Sequence, residues 1–428
     1  MKDLIYDVRE APKKWYEWIV YPIQMLLAVF VATVLIAKLC GTDPGMAMLG
    51  AAIGTILYEV ITGFRSPMFI SSCGATVSAV IGALALGGGN NYVAVAIGGG
   101  IIFLVYALFA LVIKLGGKKA FDRIFPPAIV GSITVVIGVN LAGFIPGYVG
   151  ASWIPLIVAL VTMLTTAVFS HYLKGFWRSI AFLLGLLVGY VLAIILEVSG
   201  AFDFGVVGAF QNMQAFDVNS FAFMKWANSP FEASQIPQII LFFLPLSICA
   251  ALEHYSDHKV LSNIIGTDLT RNPGMDRTLL GDGAASAIGT VICAQPNTSY
   301  GESIATIGFS RVASVWVTLV AAVLLGVLSF IPPVSAFINS IPAAVFGGCA
   351  MILYGYIAAS GLKTLKAVNL DDNKQLIIVA VVLTIGASGL VLALTTAFSL
   401  EIGVALAMIA GIVLNLILRD KKSESTLE

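Results

Sequence analysis

The sequence predicts an all-α polytopic membrane protein built as two inverted halves of seven spans each. Three observations carry that reading. Hydrophobic residues make up 59% of the 428 residues and charged residues only 11%, with a mean hydropathy of +0.98. A soluble domain could not hide so much apolar surface. Lys and Arg are distributed as a fourteen-span protein needs, and short motifs recur seven spans apart.

The apolar runs fall at 18–39, 45–63, 72–87, 92–114, 126–147, 153–172, 179–199, 236–256, 278–293, 299–310, 312–331, 341–361, 375–395 and 398–418. With a cytoplasmic N-terminus, this count puts every Lys and Arg except Lys38 and Lys225 on cytoplasmic segments or span ends. The positive-inside rule asks for that asymmetry, and one span more or fewer would scramble it. Both termini are therefore expected in the cytoplasm, with the chain in the cell (plasma or inner) membrane. Met1–Glu17 is charged and runs straight into a full span, so no cleavable leader is expected.

Several classes are set aside. Zero net charge gives no reason to expect a nucleic-acid partner. Cys40, Cys73, Cys249, Cys293 and Cys349 are scattered through or beside apolar runs, with no metal spacing and no disulfide framework, and read as small buried residues. No nucleophile–base set, phosphate loop or metal-ligand spacing is present, so no enzyme, cofactor or metal is expected.

The repeat is read from two pairs of motifs. Spans five and twelve open on Phe125–Gly131, "FPPAIVG", and Ile341–Gly347, "IPAAVFG". Spans three and ten are both short, and each begins with small and polar residues: Ser66–Thr76, "SPMFISSCGAT", and Ala294–Ser303, "AQPNTSYGES". Short, Gly/Pro-interrupted spans at matching places in two inverted halves point to a transporter binding site. Pro296, Asn297 and Gly301 would keep the chain extended until a half-helix starts mid-membrane, which is tolerated only inside protein or beside a wet cavity. Such a terminus offers unpaired N–H groups and positive dipole density. Ser72–Ala75 would supply a second terminus facing the first, and Glu302 a strong acceptor.

Span eight ends "CAALEHYSDHKV". Glu253 and Asp257 are four apart and share a helix face, while His254 and His258 are turned about 100° and 140° away from Glu253. Seventeen uncharged residues, Ile236–Leu252, precede Glu253, which should place it inside the membrane facing a cavity or a partner. Glu59 and Asp282 read as solvated or capping residues near cytoplasmic span ends, Glu197 and Glu401 as exposed at outer ends, and His171 as interfacial. Two acids facing one another in a low-dielectric pocket do not readily both stay ionised, which suits a proton carrier. Inward movement of one positive charge is favoured by about 2.3 kcal/mol per 100 mV. Glu253, with Asp257 and Glu302, is thus expected to couple proton entry to solute import. Carboxylate acceptors beside backbone donors suit a neutral planar ring with alternating N–H and C=O groups, such as a pyrimidine dione. Tyr300 or Tyr354 could cover such a ring. An anion would welcome the helix termini but not the carboxylates, and no Lys or Arg is placed within a span near them.

The stretch Pro296–Val312, "PNTSYGESIATIGFSRV", with Glu253–His254, Arg271–Gly274 "RNPG" and Ile341–Gly361, resembles the uracil permeases of the nucleobase/ascorbate transporter family (nucleobase:cation symporter family 2). That resemblance implies core and gate domains with short extended segments in spans three and ten. The first core half would be 1–115 and the first gate half 116–200; a connector at 201–235 would precede the second core half, 236–331, the second gate half, 332–420, and a cytoplasmic tail, 421–428. It also implies that Glu253 and Glu302 hold the nucleobase, that Gly301 and Gly74 are amide donors, that Tyr300 and Tyr354 lie near the pocket or gate, and that the protein is a homodimer through its gate domain. Two positions depart from the family pattern. Asp257 stands where uracil permeases often have histidine, and Gly74 where they have phenylalanine. Asp257 resembles purine-transporting relatives, whereas Glu302 points back to uracil. Proton or sodium coupling, a purine-type substrate, and an anion transporter or channel therefore stay open. The Phe-rich segment Phe202–Pro230 is expected on the membrane surface.

Overall fold

The computed structural model describes residues 4–86, 88–124, 126–206, 208, 222–395, 398–401 and 403–418. Its main helices are α1 (Glu17–Cys40), α2 (Pro44–Thr62), α3 (Val77–Ala85), α4 (Tyr92–Ile124), α5 (Pro127–Ala142), α6 (Trp153–Tyr172), α7 (Ala181–Val198), α8 (Ile236–Ile265), α9 (Met275–Val291), α10 (Gly301–Ser310), α11 (Val315–Leu328), α12 (Ala343–Leu365), α13 (Asn373–Gly386) and α14 (Gly403–Ile417). Four strands accompany them: β1 (Ile70–Ser72), β2 (Asn297–Ser299), β3 (Val391–Thr395) and β4 (Phe398–Glu401). Among the described residues, eight helices are long and apolar enough to cross a membrane, and four shorter apolar helices add to them. Neither α9 nor α10 belongs to either group; both are rich in small and polar residues.

The chain forms two compact units, one of Met1–Leu111 with Phe144–Ile352 and one of Val112–Gly143 with Leu353–Glu428. In the second, α5 lies against α13, and Asn140 Nδ2 donates to Gly386 O at 3.1 Å. Helices α4 and α8 run past the expected span ends at 114 and 256, to Ile124 and Ile265. The helices expected over 375–395 and 398–418 are replaced in part by an antiparallel hairpin, β3 on β4, with Val391 opposite Glu401. Gly389, at φ +62°, turns the chain out of α13, and the Val, Thr and Phe residues beyond it suit extended backbone. Residues 209–221 of the connector and the tail 421–428 lie outside the described residues.

In the first unit, α2 shows how local sequence sets an element. Asp43 caps its N-terminus by accepting from Met46 N at 2.9 Å, Pro44 occupies the first turn, and Gly63 ends it at φ +66°. Small residues then let α2 close on α9: a side chain at Gly54 would collide with Asn297 and Ala285. The extended stretches expected in spans three and ten are β1 and β2, paired antiparallel as Ile70↔Ser299, Ser71↔Thr298 and Ser72↔Asn297. Cys73 N extends the ladder to Pro296 O at 2.8 Å. The helices take up further backbone and side-chain groups. Thr55 exchanges bonds with Ile70, accepting from its N–H at 3.0 Å and donating to its carbonyl at 2.8 Å. Ser286 Oγ donates to Asn297 O. Asn297 Nδ2 donates to Gly50 O and Ala285 O, both at 3.0 Å, stitching β2 to α2 and α9. A strap at the start of the chain anchors the far end of α10: Ile5 N donates to Arg311 O at 2.8 Å and Ala313 N to Tyr6 O at 3.0 Å.

Asn297→Ala removes two buried hydrogen bonds that tie β2 to α2 and α9, so it should lower the unfolding free energy of the detergent-solubilised protein by about 1–3 kcal/mol. An unchanged denaturant midpoint would show that the stitch carries no stability.

Candidate functional site

The crossing of β1 and β2 sets where the next elements begin. After β1, Gly74–Thr76 forms a single 3₁₀ turn that leads into α3. After β2, extended Tyr300 (φ −118°, ψ 115°) is the N-cap of α10, and Gly301 and Glu302 are its first two residues. The first amides of a helix have no partner within it, so the N–H groups of Gly301 and Glu302 are free of the helical ladder. Gly301 is exposed, with nothing within 4 Å of where a Cβ would stand.

The first unit gathers the carboxylates around this point. Glu253 and Asp257 lie on one face of α8, both half-buried, as is Glu302. Glu253 is within electrostatic reach of Glu302 and Asp282, and Asp257 of Glu253, Glu302 and Asp282. Ser299 Oγ donates to Asp257 Oδ2 at 2.9 Å, fastening this acid to β2. Tyr300 is buried, and Ser303 Oγ donates back to its carbonyl at 2.7 Å. Glu253, Asp257, Gly74, Tyr300, Gly301 and Glu302 thus belong to one unit. Tyr354 is buried on α12, at the start of the other unit.

Two acids depart from the sequence reading. Asp282 and Glu59, expected near water, are fully buried. The cause is the close approach of α2 and α9, at Gly54 against Ala285 and at Gly281 against Tyr58. Asp282 Oδ2 accepts from Thr298 Oγ1 at 3.2 Å and from Ser299 N at 3.3 Å, and lies 2.6 Å from His254 Nδ1. Asp282 is thus the inner brace of β2, as Asp257 is the outer one. His258, turned off the Glu253 face as its spacing requires, holds an adjoining cluster, its ring 4.0 Å from that of His254. Its Nε2 is 2.7 Å from Tyr58 OH, its Nδ1 faces His254 O at 2.9 Å, and Tyr58 OH donates to Ser66 Oγ at 2.8 Å. Of the other acids, Glu197 is half-buried and accepts from Val206 N at 2.9 Å, not simply exposed. The five cysteines are buried, as expected.

Some positioning residues escape the sequence reading. Thr33 of α1 bonds Ser71 Oγ at 2.7 Å, and its carbonyl accepts from Ser72 Oγ at 3.2 Å. Gln295 donates to Ser72 Oγ and accepts from Thr42 Oγ1 at 2.8 Å. Only Asp282 carried a signal that could have found it: the surrounding run "GDGAASAIG" is composed of residues small enough to bury an acid between helices.

A family model described as "Permease family" matches residues 16–395. The chain belongs to this permease family. Among its relatives, the uracil permease of Bacillus caldolyticus is 34% identical over 100% of this chain and 98% of that protein, and the uracil permease of Escherichia coli K12 is 35% identical over 93% and 90%. A putative pyrimidine permease of the same strain is 31% identical over 93% and 89%. This permease also shares its fold with the transmembrane domain of a cyanobacterial bicarbonate transporter, BicA, at a TM-score of 0.67 and 14% identity, covering 95% of this chain and 99% of that one. SLC26A9 matches at a TM-score of 0.63 and 13% identity, covering 94% and 66%. These solved structures share an all-α membrane-transporter fold with this permease and, at such identities, speak for the fold alone.

Asp282→Ala would leave the Ser299 amide and the Thr298 hydroxyl without their shared acceptor and His254 without the carboxylate beside it. Its unfolding free energy in detergent should fall by about 3 kcal/mol or more, and Asp282→Asn, which keeps one carbonyl oxygen, should lose less. Equal stability of Asp282→Ala and the parent would refute the bracing role.

Proposed function

We propose that this permease imports uracil by symport with protons, with a core domain and a gate domain alternately exposing one mid-membrane site. The observation that carries the proposal is the convergence of two helix starts and three carboxylates on the β1–β2 crossing. The names of the relatives support the substrate. The ring N–H groups of uracil would donate to Glu253 and Glu302, and its carbonyl oxygens would accept from amides at Gly301 and Gly74, with Tyr300 and Tyr354 as aromatic neighbours. An ionised acid deep in a span is costly without a partner, and no Lys or Arg lies on the α8 or α10 face that carries the acids. A proton taken up with the substrate by Glu253, with Asp257 and Glu302 as its partners, removes that cost for the inward step. The same reading takes the fourteen spans, the core and gate boundaries, a cell-membrane location with cytoplasmic termini, and a gate-to-gate homodimer as parts of one architecture. A second reading, a purine-type or other nucleobase symporter, is favoured by Asp257 and by Gly74, which adds no side chain where a larger ring would need space.

Four measurements test these readings. In proteoliposomes, uptake of labelled uracil should rise as the outside is made more acidic at constant inside pH, because the driving force contains the proton gradient; dependence on sodium at fixed pH would instead assign sodium coupling. Competition by unlabelled uracil but not by xanthine supports the pyrimidine reading, and the reverse supports the purine one. Glu302→Ala removes a charged hydrogen-bond acceptor and should weaken uracil binding by about 10- to 100-fold. Glu253→Gln should keep uracil exchange at equal pH but lose gradient-driven accumulation, and full accumulation by that variant would remove Glu253 from the proton step.

A further inference from the structure

Helices α8 and α10 each present a stripe that becomes more exposed along its length. On α8 it runs through Glu253, Ser256, Asp257 and Val260, half-buried at the first three and 47% exposed at Val260. On α10 it runs through Glu302, Ala305 and Phe309, and Phe309 is 39% exposed. The spacings of three, four and seven keep each set on one helix face. A face carrying three carboxylates does not serve as a lipid-facing surface. The two helices pack together, with Gly308 abutting Ile264 near their ends. The stripes therefore lead from the acids toward the end of α10 where Arg311 stands, the end the Lys and Arg pattern assigns to the cytoplasm.

One side chain lies across that end. The short helix Phe176–Ser179, in the loop between α6 and α7, packs against α10 and α1. From it the Arg178 guanidinium sits 4.8 Å above the centre of the Phe309 ring. Phe309 is seven residues beyond Glu302, two turns along the same face. The other side of the α10 terminus is fixed by the Tyr6–Val312 strap, which leaves the Arg178 side as the one free to open.

We propose that Arg178 and Phe309 form the inward gate of the permease, closing a release route that follows the exposed faces of α8 and α10. The pair joins the α6–α7 loop to the half-helix that carries Glu302, so it must part each time solute leaves. This rests on the alternating movement proposed above. A cation held over an exposed ring is worth little enough to break in every cycle.

The test reads the route without relying on transport. A cysteine placed at Ala305 (Ala305→Cys), in a chain whose own five cysteines are buried, is exposed to a membrane-impermeant thiol reagent added from either side of oriented vesicles. Labelling should occur from the cytoplasmic side. Adding Arg178→Gln should speed that labelling by about two- to five-fold, the factor a surface cation–π contact supports, and Arg178→Lys should restore the slow rate. Labelling from the outer side alone would overturn the route, and a rate indifferent to Arg178→Gln would overturn the gate. Protection of the cysteine by uracil is read separately: its absence, with the Arg178 effect intact, would count against uracil as the substrate and leave the gate standing.

Discussion

Two three-residue strands, too short to stand alone, decide where α10 and the turn into α3 begin. Chain that leaves a helix inside a membrane must find partners for each exposed N–H and C=O, because the lipid offers none. Here β1 and β2 satisfy one another, Thr55, Ser286 and Asp282 take up further backbone groups at Ile70, Asn297 and Ser299, and Thr33 and Gln295 hold the Ser71 and Ser72 hydroxyls. Once the strands pair in a fixed register, the start of α10 and the turn before α3 are fixed as well. A one-residue slip would turn each side chain to the opposite side of the ladder, parting Ser299 from Asp257 and Thr298 from Asp282.

The acids fit the same logic. β2 is gripped from both directions, by Asp257 through the Ser299 hydroxyl and by Asp282 through the Ser299 amide and the Thr298 hydroxyl. One brace is half-buried beside the exposed start of α10, while the other is sealed between α2 and α9 and paired with His254. Asp282 is thus sealed from solvent, while Glu253, Asp257 and Glu302 stay half-buried beside the exposed start of α10.

Much of this was legible in the chain. Pro296, Asn297 and Gly301 announce an interrupted helix, and that interruption is where β2 gives way to α10. The four-residue spacing of Glu253 and Asp257 places both acids on one face, and the same geometry correctly turns His258 away. What escaped the reading depends on contacts between distant segments. Nothing near Asp282 in sequence says that α2 lies across it, and nothing near Thr33 or Gln295 says that Ser71 and Ser72 will arrive beside them. The strands Val391–Thr395 and Phe398–Glu401 escape for a different reason: an apolar run satisfies a hydropathy window whether it is helical or extended.

On the proposed mechanism, the strand crossing puts helix-start amides and carboxylates around one solute. A high-resolution structure of the purified protein with uracil bound is the sharpest test. The ring should lie within hydrogen-bond distance of Glu253, Glu302 and the Gly301 amide, with β1 and β2 still paired beside it. A ring bound away from the crossing, or a continuous helix through residues 294–303, would contradict it.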